Sequence, residues 1–166
     1  MIRGGEPTLS ASLYIVATPI GHLEDMSLRA IDVLRSVNLI AAEDTRHSSK
    51  LLRHFDIRTP LISYHDHSET SDLEGMLKRL RAGETIALIS DAGTPLVSDP
   101  GYKLVVACHR EQITVVPIPG PSATTTALSA AGLPTDHFYF EGFLPPKPGQ
   151  RVNRLQVLTA IEGTLI

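Results

Sequence analysis

Five short apolar runs, separated by stretches of helical spacing, constrain this chain more than any other feature. The runs are Leu13–Thr18, Leu39–Glu43, Leu61–His65, Thr85–Ser90 and Thr114–Ile118, and several are continuously apolar rather than alternating. Alternation marks a strand with one wet face, whereas a continuous run marks a strand covered on both faces. Between the runs the apolar positions fall three and four apart, as in Leu28, Ile31, Leu34 and Val37, or Leu73, Met76, Leu77 and Leu80. Repeated strand–helix units of this kind predict an α/β fold, with a mostly parallel five-stranded sheet and helices on both faces. Local signals place the helix ends. Asp25 or Ser27 is a fitting N-cap for the first helix and Thr45 for the second, with Leu51, Leu52 and Phe55 as the second helix's apolar side. Gly83 stops the third, Asp99 followed by Pro100 starts the fourth, and Ser122 opens a fifth that ends at Gly132.

After Pro134 the character changes. Residues 13–137 read as one α/β domain, preceded by a loose leader at 1–12. Phe138-Tyr139-Phe140-Glu141-Gly142-Phe143 runs into Leu144-Pro145-Pro146-Lys147-Pro148-Gly149, so 138–149 reads as a linker. Arg151 to Ile161 then has helical spacing, and Gly163–Ile166 resembles the start of a strand. The expectation is that 150–166 opens a second α/β domain, largely absent from these 166 residues. No apolar run reaches the roughly 18 residues a membrane span needs, and Met1–Ser12 lacks the apolar centre of a signal peptide. The lone Cys108 reads as a small buried hydrophobe, and a cytoplasmic location is expected.

The residues at the carboxyl ends of the runs are richer than connections require. Ser90-Asp91-Ala92-Gly93-Thr94-Pro95 and Leu96–Tyr102 follow the fourth run, where a few residues would suffice. Ala17-Thr18-Pro19-Ile20-Gly21-His22 follows the first and Pro117-Ile118-Pro119-Gly120-Pro121-Ser122-Ala123 the fifth. Open α/β sheets bind ligands at this edge. Neither G-x-G-x-x-G nor G-x-x-x-x-G-K-[ST] is present, so nothing indicates a dinucleotide or ATP. A ligand without phosphates fits shaped backbone loops, and S-adenosylmethionine is one. Glu43-Asp44-Thr45-Arg46 ends the second run, where its carboxylates can cap a helix or serve as a general base. His65-Asp66-His67 lacks a third spaced ligand, so no metal site is expected. The net charge of −3 does not suggest a nucleic-acid partner, yet Arg46, Lys50 and Arg53 share one helix face. That face is either solvated or a strip for phosphates.

These motifs, in this order, resemble those of the small-subunit ribosomal RNA cytidine 2′-O-methyltransferases of the tetrapyrrole-methylase superfamily. The segments that carry the likeness are Leu13–Asp25, Ala41–Arg46, Ser90–Tyr102, Pro117–Ala123 and Glu141–Pro145. Two positions depart from the pattern: His22 stands where Asn is usual, and Ser48-Ser49 replace Thr-Arg. The resemblance implies S-adenosyl-L-methionine as methyl donor, small-subunit ribosomal RNA as substrate, and a homodimer. It places Ile20, Gly93, Thr94, Val97, Ser122 and Ala123 at the cofactor. Asp44 or Glu43 would accept the hydroxyl proton, and Arg46 would fix a phosphate. Arg46, Lys50 and Arg53 would hold RNA. It also implies that a chain of this length is an inactive N-terminal fragment. A porphyrin-type methyltransferase and a non-catalytic binding module are the competing readings.

Overall fold

The computed structural model describes residues 11–65 and 70–166. The chain divides between Pro121 and Ser122 into two compact units. In the first, five strands, β1 (Ser12–Val16), β2 (Leu39–Ala42), β3 (Leu61–Ser63), β4 (Ile86–Ile89) and β5 (Thr114–Ile118), form one sheet in the order β3-β2-β4-β1-β5. Every pairing is parallel. Four helices connect them: α1 (Leu28–Ser36), α2 (Thr45–His54), α3 (Thr70–Arg81) and α4 (Tyr102–Arg110).

The strand order explains the layers. From β1 through β2 to β3 the chain steps toward one edge, and from β3 through β4 to β5 it steps back. Right-handed crossovers therefore put the first two helices on one face and the next two on the other. The core agrees. Tyr14, Val16, Ile40, Ala42, Ala87 and Ile89 face Ala30, Ile31, Val33 and Leu34 of α1 and Leu52 of α2. The alternate positions Leu13, Ile15, Leu39, Ala41, Ile86 and Leu88 face Met76, Leu77 and Leu80 of α3 and Leu104 and Cys108 of α4. β1, β2 and β4 are buried along their whole length, which is why their sequence shows no alternation. Pro117 is tolerated because β5 lies at the sheet edge.

Of the two N-cap candidates for the first helix the structure selects one, and the starts of α2 and α4 differ from the sequence expectation. Ser27 caps α1 through its hydroxyl, which accepts the Ala30 N–H at 3.1 Å, whereas Asp25 closes a preceding short 3₁₀ turn. Asp44, not Thr45, caps α2, because β2 ends at Ala42 and leaves Asp44 with the extended backbone a cap needs. α4 begins after Gly101 rather than at Asp99-Pro100; the loop before it is still turning through left-handed backbone at Leu96 and Ser98. Among the other expectations, Gly83 follows α3 with φ +94° as predicted. β1 takes in Ser12, the last residue of the stretch read as a leader.

The second unit contains α5 (Ala123–Ala131), β6 (Phe138–Tyr139), α6 (Pro148–Leu158) and β7 (Thr164–Leu165). Ser122 occupies the N-cap of α5 and Gly132 ends it in the left-handed conformation. The 138–149 stretch, expected as a linker, holds β6 and the first two residues of α6. β6 pairs in parallel with β7, and Pro148 takes the N-terminal helical position it favours, so α6 starts three residues before Arg151. Arg154 makes a two-pronged ion pair with Glu141, at 2.6 and 2.7 Å.

Candidate functional site

β1 and β4 are neighbours whose following helices leave on opposite faces, so a crevice must open between their carboxyl ends. The two loops there are tied together. Thr18 N–H donates to the Gly93 carbonyl at 2.9 Å, and Gly93 N–H donates back to Thr18 at 3.0 Å. The buried Thr18 hydroxyl donates to the Ser90 carbonyl at 3.1 Å, and the Ser90 hydroxyl turns to the Gly93 carbonyl at 3.3 Å. Thr94 Oγ1 donates to the carbonyl of Pro121, in the loop after β5, at 3.1 Å. The loop holds unusual backbone: φ is +84° at Gly93, +72° at Leu96, +64° at Ser98 and +126° at Gly101. Left-handed Leu and Ser are uncommon and cost free energy, which the surrounding hydrogen bonds and packing must offset. Gly101 is required on a second ground: a Cβ there would lie 2.5 Å from Leu88 Cδ2.

Two adjacent carboxylates at the end of β2 have opposite surroundings. Asp44 Oδ1 accepts the Arg46 backbone N–H at 2.8 Å and Nε at 3.1 Å, and Oδ2 accepts Nη2 at 2.7 Å. These bonds hold the Asp44 carboxyl far below the usual range and raise the Arg46 guanidinium. Glu43 is shifted upward, first by partial burial and then by the charges of Asp91 and Asp99; His65 opposes the shift. Asp99 is raised too, by partial burial and by Asp91, with a hydrogen bond from Ser90 pulling the other way. Asp91 links the loops, its Oδ1 accepting the Asp44 N–H at 3.2 Å. Glu43, Asp91, Arg46, Ser63 and His65 border a cleft of ≈ 460 Å³.

A second cleft, of ≈ 420 Å³, opens against Pro19, Ile20, Leu23, Leu51 and Ala92, with Asp91 and Lys50 as its charged members. Its apolar body with one carboxylate and one ammonium suits a ligand that has an apolar part and both signs of charge. That describes S-adenosylmethionine, with its sulfonium, ammonium and carboxylate.

Of the expected cofactor residues, Ile20 lines this cleft, and its Cγ2 lies 3.4 Å from where a Gly93 Cβ would stand. Thr94 buttresses the neighbouring loop, Val97 is exposed, and Ser122 and Ala123 open α5 in the second unit. On α2, Arg46, Lys50 and Arg53 all face solvent, while Ser48, Leu51 and Leu52 face inward. Among the described residues no group of three or more ligating side chains could hold a metal, and Asp66 and His67 lie outside them. Asp91 and Asp99 carry no site signal of their own in the sequence, where Asp99 reads only as a helix cap. Their position after a strand points to the site, but their coupling to Glu43 arises only when the loops after β2 and β4 converge. His22 has a physical account: its Nδ1 accepts the Glu24 N–H at 3.3 Å, a capping role that Asn also performs.

The sequence profile of the Tetrapyrrole (Corrin/Porphyrin) Methylases matches residues 12–166. The chain belongs to this family. It is 56% identical over 154 residues to the Ribosomal RNA small subunit methyltransferase I of Escherichia coli O157:H7, covering 93% of this chain and 54% of the relative. The protein of the same name from Synechocystis is also 56% identical, with 93% and 55% covered. The chain thus spans about half the length of the curated relatives it matches. Among solved structures, uroporphyrin-III-C-methyltransferase from Thermus thermophilus has a TM-score of 0.58 at 22% identity, covering 82% of this chain and 64% of that one. A cobalt precorrin-4 methyltransferase reaches 0.61 at 17%, covering 87% and 64%. Diphthine synthase reaches 0.59 at 17%, covering 88% and 60%. These likenesses show the tetrapyrrole-methylase fold, shared by proteins whose names describe different substrates.

Proposed function

We propose that this chain is the part of an S-adenosylmethionine-dependent methyltransferase that binds the methyl donor and receives small-subunit ribosomal RNA, whose target is a cytidine ribose 2′-hydroxyl. The observation that carries the reading is the meeting, at the start of α2, of a carboxylate with raised proton affinity and an exposed basic helix face. The relatives named as ribosomal RNA methyltransferases, at 56% identity, support the RNA substrate over a tetrapyrrole.

Bound S-adenosylmethionine supplies an electrophilic methyl group on a sulfonium. The residues of the chain then place and deprotonate the acceptor. Ile20 and Gly93 shape the donor's side of the crevice, with Thr94 and Val97 beside them. Glu43 would take the proton of the ribose hydroxyl as that oxygen accepts the methyl group. Glu43 suits this better than Asp44, whose two oxygens are already engaged by Arg46 and whose proton affinity is depressed. A base tuned toward neutrality combines availability with driving force. Asp44 acts instead as the helix cap that fixes Arg46 for a phosphate. Lys50 and Arg53 continue that contact along the helix. Turnover and the homodimer are assigned to the whole-length protein, in the cytoplasm.

Competition binding tests this. The chain is equilibrated with a fluorescent single-stranded segment of small-subunit ribosomal RNA, with S-adenosylhomocysteine present, and uroporphyrin is added. Binding to RNA that uroporphyrin does not displace is expected. Binding of uroporphyrin without RNA would transfer the chain to the small-molecule branch.

A further inference from the structure

We infer that the RNA strand does not leave the protein at the end of α2 but continues to a further phosphate subsite formed by Arg53 and Arg58, with Asp56 restraining Arg58 until RNA arrives. This rests on the RNA reading above.

Charge distribution is the first ground. Residues 46–58 hold four of the chain's fifteen Lys and Arg but one of its eighteen Asp and Glu, so the segment carries +3 within a chain of −3. Position is the second. Arg46, Lys50 and Arg53 rise along one helix face over about 10 Å. α2 then closes, with the Ile57 N–H donating to the Leu52 carbonyl at 2.8 Å and Asp56 in left-handed backbone at φ +50°. That turn brings Arg58 back beside Arg53, and both border a cleft of ≈ 390 Å³ with Ser49 and Asp56. Arg35, from α1, donates to the Phe55 carbonyl at 2.6 Å and adds another cation beside the same turn. The basic face and the cleft are therefore one continuous surface.

The state of Arg58 is the third ground. Its Nε donates to Asp56 Oδ1 at 3.1 Å, and its side chain is 87% exposed. An exposed pair of this kind contributes little to stability and is screened by salt. A phosphodiester can therefore take the guanidinium from Asp56 at small cost, and a two-pronged contact with a phosphate is the geometry arginine favours. Ser49 Oγ donates to the Arg46 carbonyl at 3.2 Å, which fixes the hydroxyl and leaves its lone pairs for a ribose 2′-hydroxyl. The occupant is thus a flanking nucleotide of single-stranded RNA, held by its sugar–phosphate backbone rather than by its base.

The test measures anisotropy of a labelled single-stranded RNA with the chain across a salt series, comparing wild type, Arg58→Gln, Asp56→Asn and Lys78→Gln. Lys78 is exposed on α3, outside the basic segment, and controls for the loss of one positive charge. Asn tolerates left-handed backbone, so Asp56→Asn preserves the turn. Arg58→Gln is expected to weaken binding several-fold and reduce the slope of log K against log salt by about 0.7. Asp56→Asn is expected to tighten binding, and Lys78→Gln to leave both quantities at wild-type values. Wild-type RNA binding with no change in Arg58→Gln, or equal losses in Arg58→Gln and Lys78→Gln, would overturn the subsite and leave the RNA reading intact. No RNA binding by the wild type would overturn both.

Discussion

After β4 the chain runs from Ser90 to Gly101 before it re-enters helix, and the polar groups of that loop turn largely onto its neighbours. After β2 it takes two residues, Glu43 and Asp44, to reach α2, and the charges of that helix turn outward. The first region is held by buried hydroxyls, a reciprocal backbone pair and left-handed residues. The second is held by a cap at one end and an apolar inner face, leaving Lys50 and Arg53 to solvent. A donor molecule must be placed to a fraction of an ångström, which calls for a pre-shaped loop. A long flexible polymer needs only attraction and a track, which exposed cations on a helix supply. Glu43 lies where the two regions meet, coupled to Asp91 and Asp99 of the loop and preceding Asp44 of the helix cap.

Breaking the loop should have the largest effect on the fold. Gly101→Val introduces a Cβ 2.5 Å from Leu88 Cδ2 in a backbone conformation that valine rejects. A loss of roughly 3 kcal/mol in urea unfolding is expected from overpacking and strain together. Glu43→Gln acts on chemistry instead. In the whole-length protein it should lower the rate of labelled methyl transfer by about 100-fold or more, with RNA affinity unchanged. On the helix, reversing charge at Arg46 and Arg53, which do not line the Lys50 cleft, should strongly weaken RNA association while leaving S-adenosylhomocysteine binding within a few-fold, as read by calorimetry. The loop variant Gly93→Val should do the reverse, losing S-adenosylhomocysteine and keeping RNA. If both variants lost both ligands, the separation between loop and helix would fail.

Proton linkage sharpens the same contrast. Glu43 and Asp99 bind protons more tightly when folded, so stability falls as pH rises through their raised values. Glu43→Gln or Asp99→Asn should therefore raise the thermal midpoint at pH 7, with the gain shrinking as the pH is lowered. Asp44 has the opposite sign: its contribution is present above its unfolded value near 3.8 and lost as pH falls below it. Asp44→Ala should melt earlier at pH 7, and its difference from wild type should close under strong acid. Ser48 gives the smallest effect. Its hydroxyl is buried on the inner side of α2 with no hydrogen-bond partner among the described residues, so Ser48→Ala should be neutral or stabilising by up to about 1 kcal/mol in the same urea experiment.

The sheet was legible because burial on both faces leaves an unmistakable trace, as in Leu39–Ala42 and Ile86–Ile89, which are apolar throughout. Helix starts were less so. Asp44 and Thr45 are both able caps, and only the end of β2 chooses between them. The start of α4 was misplaced because Leu96 and Ser98 adopt backbone that their side chains give no hint of. At the site, the residue types were visible but their states were not. Adjacent carboxylates look alike in sequence; the arginine that binds Asp44 and the aspartates that crowd Glu43 distinguish them only after folding. The Arg53–Arg58 cleft was hidden for a similar reason, since the turn at Asp56 breaks the helical spacing that joined Arg46 to Arg53.

Calorimetric titration of this chain with S-adenosylhomocysteine tests the central claim most directly, with Gly93→Val as the comparison. The loops after β1 and β4 are already bonded to each other in the first unit, so saturable one-to-one binding that Gly93→Val removes is the predicted result. No saturable heat from the folded wild-type chain, or equal binding by Gly93→Val, would contradict the assignment of the donor site to these loops.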